Sequence, residues 1–343
     1  MRAHLRSPHA PQANNRRATM SEQDTLLAEQ ARIDLYNEAS LNPDPMAAGG
    51  AEPLGFSLGS SKSIKAVANG DSWFDYLPGW DIIKSLKSKG YAIKNFGTGG
   101  DTLENMLYGN SYDRSWEREL PEHAEVRATV ANLKPKFFLF SGGGNDIAGP
   151  ELAAYLNHAD AGLGGGDLRL GYLDYMMDTV FFEYYKYMVK TITQSHSDVH
   201  IFIHGYSRPL ITGLGVVNIV GGWHFIGPLL RPALTSKGIV DPARQYRAVA
   251  TIIEKLNDML ARVAALYPNV HYIRLLDDIK PRHWINELHL TKEGYDVVGG
   301  MFDSVMQGLM DTQEKADLAN AKKDLDNFLA GQDQQVMEAA GFK

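Results

Sequence analysis

Cysteine is absent from the 343 residues. That absence excludes disulfides, thiolate zinc sites and a cysteine nucleophile, and it suits a reducing compartment. Chemistry is left to serine, histidine, asparagine and the carboxylates. Basic blocks are absent too: a net charge of -7, with both signs scattered along the chain, argues against nucleic acid as a partner. Residues 1–19 carry Arg2, Arg6, Arg16 and Arg17 without an acidic residue, yet they hold no apolar stretch of the kind that export needs. They read as a disordered leader or as sequence upstream of a start at Met20, ahead of a weak organellar presequence, and the expected location is cytoplasmic. The longest uncharged run, 209–230, is long enough to raise a membrane span, but five glycines, two prolines and Asn218 argue against one. No repeat of fixed period and no low-complexity tract stands out.

Apolar residues make up 44% of the chain, ample for a packed core. Short apolar segments at 64–68, 91–96, 136–141, 199–204 and 270–275 read as strands. Helical period runs between them, through Leu173, Met176, Met177, Val180, Phe181, Tyr184 and Met188, and again from Val249 to Val263. This alternation predicts an α/β fold with a five-stranded parallel sheet covered on both faces. The first four strands each reach a glycine within two residues (Gly70, Gly97, Gly142, Gly205), so functional loops should gather at one edge. Residues 1–60 form a partly disordered extension with one helix-like stretch at 25–39, and 61–310 form the main domain. Residues 311–343 read as a charged helical extension with a sparse seam at Leu318, Leu325 and Leu329. Packing on its own domain is the expectation there, and pairing in a homo-oligomer is the alternative.

Chemistry concentrates in four short segments. Asn69-Gly70-Asp71-Ser72 closes the first strand and presents Ser72 at the carboxyl edge of the sheet. Gly97-Thr98-Gly99-Gly100-Asp101 follows the second strand, and the backbone N–H of Gly100 is open to close approach because glycine has no side chain. Gly142-Gly143-Gly144-Asn145-Asp146 ends the third strand, and the Asn145 amide can donate two hydrogen bonds. Taken alone, Gly100 is as readily a turn glycine and Asn145 an ordinary Asx turn. Asn286-Glu287-Leu288-His289 lies beyond the fifth strand, and Thr291 is placed to cap the helix after it. A serine hydroxyl needs a base to take its proton, and among eleven histidines His289 is the best placed.

These segments, in this order, resemble the blocks of the SGNH hydrolases, also called the GDSL esterase/lipase family. The resemblance spans roughly 70–289 and implies a flavodoxin-like three-layer α/β/α sandwich. It implies Ser72 as nucleophile and, through its backbone N–H, as first oxyanion donor. Gly100 and Asn145 match the second and third donors, and His289 matches the base. It implies a serine esterase acting on a small-molecule ester without cofactor or metal. One departure stands out: the family usually has an acid three residues before the histidine, and here that position is Asn286. In a helical turn Asn286 faces His289 and Glu287 points elsewhere. Orientation of His289 by Asn286 or by a backbone carbonyl is the expectation; Glu287 in a non-helical loop, or Asp278, is the alternative. Asp71, Asp101 and Asp146 read as caps and turn braces.

The apolar loop 205–232, with Trp223 and Phe225, is a candidate wall for an acyl pocket; Trp73, Phe74, Tyr76 and Trp80, just after the nucleophile, are candidates for added aromatic surface, with Trp73 as a substrate contact. A buried insertion or subunit contact suits the loop equally well, and Trp73, Phe74, Tyr76 and Trp80 suit a core. The expected substrate is a small or medium, uncharged ester. A carbohydrate O-acetyl esterase, a lysophospholipase or a catalytically idle binding protein are the alternatives. His196, His200 and His204 are spaced by four, but the spacing crosses into a predicted strand, where a shared helical face is lost. No glycine-rich segment continues into the Lys-Ser/Thr ending of a phosphate loop.

Overall fold

A computed structural model describes residues 22–41, 63–76, 79–109, 121–164, 166–217 and 225–339. At its centre lies a five-stranded sheet in the order β2-β1-β3-β4-β7, every pair of neighbours parallel. Its strands are β1 (Lys65–Gly70), β2 (Ala92–Asn95), β3 (Phe137–Ser141), β4 (His200–His204) and β7 (Val270–Ile273). A small antiparallel hairpin, β5 (Val216–Val217) with β6 (Phe225–Ile226), lies apart from it. Strand β3, Phe-Phe-Leu-Phe-Ser, is buried along its whole length, as a strand covered on both faces must be. The helices Ile82–Lys87 and Lys292–Gly308 pack together in one layer, and His123–Leu133, Phe182–Ser195 and Pro242–Ala265 form the other. This is the three-layer α/β/α arrangement expected from the alternation of periods.

Strand β1 runs two residues further than its apolar stretch indicates, because Asn69 and Gly70 stay in register with Phe140 and Ser141. Gly70 is required there: a Cβ would stand 2.7 Å from the Cβ of Ser141 and 2.9 Å from its carbonyl oxygen. From β1 the chain steps outward to β2 and then crosses back to β3 on the other side. The loops after β1 and β3 therefore diverge, opening the crevice in which such sheets bind ligands. Ser72 follows β1 and Asn145 follows β3, so the topology brings both to that crevice.

The helical period through 173–188 appears as Leu170–Tyr175, a π turn at Met176–Phe181, and Phe182–Ser195. The terminal helices pack on the sandwich and on each other. Asn37, in the helix Glu22–Leu41, donates to the Ile93 carbonyl (2.9 Å) and accepts from the Ile93 N–H (2.7 Å), which occupies the outer edge of β2. In the helix Thr312–Ala339, Leu318, Ala321 and Leu325 are buried, and its backbone runs close against Gly90. Among the described residues no helix is long and apolar enough to cross a membrane.

Candidate active site

The turn after β1 is built around Asp71, which is buried. Its carbonyl accepts from the N–H of Phe74 (2.9 Å) and Asp75 (3.2 Å), and its Oδ1 accepts from the Trp73 N–H (3.0 Å). Beneath the turn, Ser141 Oγ donates to Asp71 Oδ1 (2.7 Å), Tyr206 donates to Oδ2 (2.7 Å), and His204 Nε2 meets Ser141 Oγ at 2.8 Å. Three hydrogen bonds to its carboxylate and two to its carbonyl thus hold Asp71 and fix the backbone on which Ser72 stands. Asp146 acts in the same way on the neighbouring loop: both its oxygens accept from the Leu103 N–H, at the start of the helix Leu103–Tyr108. Burial pushes its carboxyl up to about 7. Asp101 accepts from the Asn105 side chain (2.7 Å), so all three aspartates are braces.

Ser72 Oγ lies 2.8 Å from Nε2 of His289, across 217 residues of sequence. On the other side of the ring, Nδ1 lies 3.1 Å from Oδ1 of Asn286. That oxygen also accepts the backbone N–H groups of Leu288 and His289, both at 2.9 Å, which identifies the atom as the carbonyl and not the amide nitrogen. The Asn286 nitrogen in turn donates to the Tyr76 hydroxyl at 3.2 Å. Nδ1 therefore carries the proton, and Nε2 is free to accept from Ser72. The Tyr76 ring stacks on the imidazole at 4.1 Å between centroids, inclined by 18°. Burial pushes His289 down to about 3, and among the described residues no carboxylate faces it to stabilise the charged ring.

Glu287 does not orient the histidine. Its Oε2 accepts from the N–H groups of Leu229 (2.9 Å), Leu230 (2.7 Å) and Arg231 (3.3 Å), and its Oε1 accepts from Gly213 (2.8 Å). This buried carboxylate ties both ends of the apolar loop to the histidine turn. Asp278 is exposed on the turn after β7 and makes no contact with His289. Of the groups weighed for this role, Asn286 is the one at the ring.

Gly100 has a φ of +95°, and a Cβ built there would meet nothing within 4 Å among the described residues, in a backbone conformation that only glycine adopts readily. Within the described residues, the N–H groups of Ser72 and Gly100 make no hydrogen bond to protein. The Asn145 amide uses one of its protons on the Asp101 carbonyl (2.8 Å), and among the described residues the other has no partner. Ser72, Gly100, Asn145 and His289 all line one cleft of about 550 Å³. Behind Ser72 lies a second, apolar pocket of about 40 Å³, bordered by Leu152, Val249, Ile252, Ile253 and Leu230.

A model of the GDSL-like lipase/acylhydrolase family matches residues 63–297. The chain belongs to that family. Solved structures to which this chain is similar include a family 3 carbohydrate esterase from Clostridium thermocellum, at 15% identity over 73% of this chain and 100% of that one (TM-score 0.37). An extracellular lipase from Streptomyces rimosus (13%, covering 71% and 99%, TM-score 0.40) is another. The carbohydrate acetylesterase Est24 from Sinorhizobium meliloti (12%, covering 72% and 99%, TM-score 0.40) is a third. Likeness at these scores carries no information on substrate. No curated protein matches the sequence.

In this GDSL-type hydrolase Trp73 is a core residue. It is buried, donates from Nε1 to the Leu288 carbonyl (3.0 Å) and stacks near His204, while also bordering the apolar pocket. Phe74 and Trp80 are buried as well, so the aromatics after the nucleophile offer no exposed stacking surface. Trp223 and the side chain of Phe225 lie outside the described residues. His200 faces His271 (Nδ1 to Nε2, 3.1 Å) and His204 belongs to the Asp71 network, so the spacing of four serves no common site. The contact of Tyr76 with Asn286 and His289 escaped sequence reasoning because nothing local marks it; both partners lie more than two hundred residues away.

Proposed function

We propose that this hydrolase is a serine esterase working through an acyl-enzyme on Ser72. The observation that carries the reading is the continuous line of contacts from Ser72 Oγ to His289 Nε2 (2.8 Å) and from Nδ1 to Asn286 Oδ1 (3.1 Å). Ser72 Oγ attacks the ester carbonyl carbon while its proton passes to Nε2. Negative charge on the former carbonyl oxygen is met by the N–H groups of Ser72 and Gly100 and by the second amide proton of Asn145. His289 then gives its proton to the departing alkoxide as the carbon–oxygen bond breaks. Water, deprotonated by the same nitrogen, attacks the acyl-enzyme and returns the serine. Asn286 sets the tautomer that makes Nε2 an acceptor, without supplying a full charge. The substrate is a small or medium, uncharged carboxylic ester.

Labelling with a fluorophosphonate tests this directly. Mass spectrometry should find the adduct on Ser72, and labelling should disappear in Ser72→Ala with the thermal melt unchanged. An unreactive Ser72 in folded protein would identify an idle fold instead.

A further inference from the structure

The two cavities at Ser72 differ in what else they touch. The wide cleft is bordered by His289 and Gly100, whereas the apolar pocket is bordered by Ser72 and Asn145 but not by His289. In an ester cleavage the departing oxygen must lie within hydrogen-bond reach of the base that protonates it. The alcohol therefore occupies the side where His289 stands, and the acyl chain is left with the pocket on the other side. We infer that the apolar pocket takes the acyl chain and the wide cleft the alcohol, so that the substrate is a short-chain acyl ester of a larger, non-anionic alcohol. The inference rests on the serine-esterase reading and adds the substrate class to it.

Size sets the acyl limit. A water-sized group occupies about 10–15 Å³ by this measure, so a pocket of about 40 Å³ holds roughly three such groups beyond the carbonyl. That admits acyl chains of roughly two to four carbons and excludes an octanoyl chain. The pocket is closed by Leu152, Ile252 and Ile253, which are themselves core residues and not free to swing aside. The two carboxylates at its border are occupied elsewhere, Asp71 by Ser141 and Tyr206 and Glu287 by the loop N–H groups, which leaves the pocket to an apolar chain.

Charge sets the alcohol preference. Among the described residues, those bordering the cleft include Asp75 and Glu151 and no lysine or arginine, and His289 is neutral because burial holds it down to about 3. An anionic leaving group would meet two like charges and, among the described residues, no counter-charge, whereas a neutral or cationic one would escape that repulsion.

Two ester series test the inference. Across p-nitrophenyl acetate, butyrate and octanoate, kcat/KM should fall at least about tenfold between butyrate and octanoate, by the size limit above. Across acetates of choline, 3,3-dimethylbutanol and 3-hydroxypropanesulfonate, the sulfonate should be poorest by about tenfold at low ionic strength, with a gap that narrows in salt. Ile253→Ala should raise octanoate relative to acetate, with Ile253→Val as a milder variant should the first unfold. Glu151→Gln should narrow the charge gap. Octanoate turned over as well as acetate, or a sulfonate acetate as good as the neutral one, would overturn the inference while Ser72-dependent turnover left the esterase reading intact. Turnover that persists in Ser72→Ala would overturn both.

Discussion

Replacing Asn286 by aspartate should convert an uncharged relay into a charged one, with consequences that can be worked out beforehand. The new carboxylate would sit where Oδ1 now stands, 3.1 Å from Nδ1 of His289, and would still accept the N–H groups of Leu288 and His289. Its second oxygen would replace the amide nitrogen opposite the Tyr76 hydroxyl, which can turn from acceptor to donor. Opposite charges about 4 Å apart at an effective dielectric of about 20 attract by ~4 kcal/mol. That would lift His289 from about 3 to roughly 6. The assay is kcat/KM against pH on an uncharged ester at constant ionic strength. Wild type should keep its activity well below pH 6, limited by acid unfolding, whereas Asn286→Asp should show an acid limb near pH 6. If half of the ~4 kcal/mol is realised in a transition state where the proton is half transferred, plateau turnover should rise about 30-fold. An acid limb that stays where wild type has it would refute the contact between residue 286 and the imidazole. A wild-type limb already near pH 6.5 would mean that an anion faces His289 after all.

Other outcomes follow from the same geometry. Tyr76→Phe leaves the Asn286 nitrogen without its partner but keeps the ring stacked on His289, so turnover should fall by less than about tenfold. Tyr76→Ala removes the ring that shields the imidazole, and the acid limb of kcat/KM should move to higher pH. Glu287→Ala would strand the loop N–H groups of Gly213, Leu229, Leu230 and Arg231, and should lower stability by at least about 3 kcal/mol in urea unfolding. Stability should also fall as pH drops from about 6.5 toward 4, because His289 (about 3) and His123 (about 4) are buried neutral and an unfolded chain binds protons that the native one refuses. Thermal melts across that range check it, and His123→Gln should flatten part of the slope.

Much of this was legible from residue order. The five strands of the central sheet could be read because each is a short apolar run, the first four reaching a glycine within two residues, and parallel central strands carry that pattern. Ser72, Gly100, Asn145 and His289 could be read because each sits at the carboxyl end of a strand or in the loop after it. Asn286 meets His289 at 3.1 Å as expected, although the 286–289 segment runs through bends and not a helical turn. What escaped depends on segments far apart in sequence. Tyr76 meets the 286–289 turn only through the folded sheet edge. Glu287 stayed a contender for the acid role because nothing in its own segment shows that four backbone donors from the 213 and 229–231 stretches converge on it. Trp73 looks alike as core or contact until its Nε1 is seen to be tied to Leu288. The end of β1 was misplaced for the opposite reason: Asn69 and Gly70 read locally as a turn, and only pairing with β3 extends the strand.

In the proposed mechanism Ser72 carries the acyl group between the two halves of the reaction. Rapid mixing of the protein with p-nitrophenyl acetate, quenched in acid and weighed intact, addresses it most directly. A mass gain of one acetyl group, mapped to Ser72 and absent in Ser72→Ala, is the result expected. Nitrophenol release without that adduct, or with equal speed in Ser72→Ala, would contradict it.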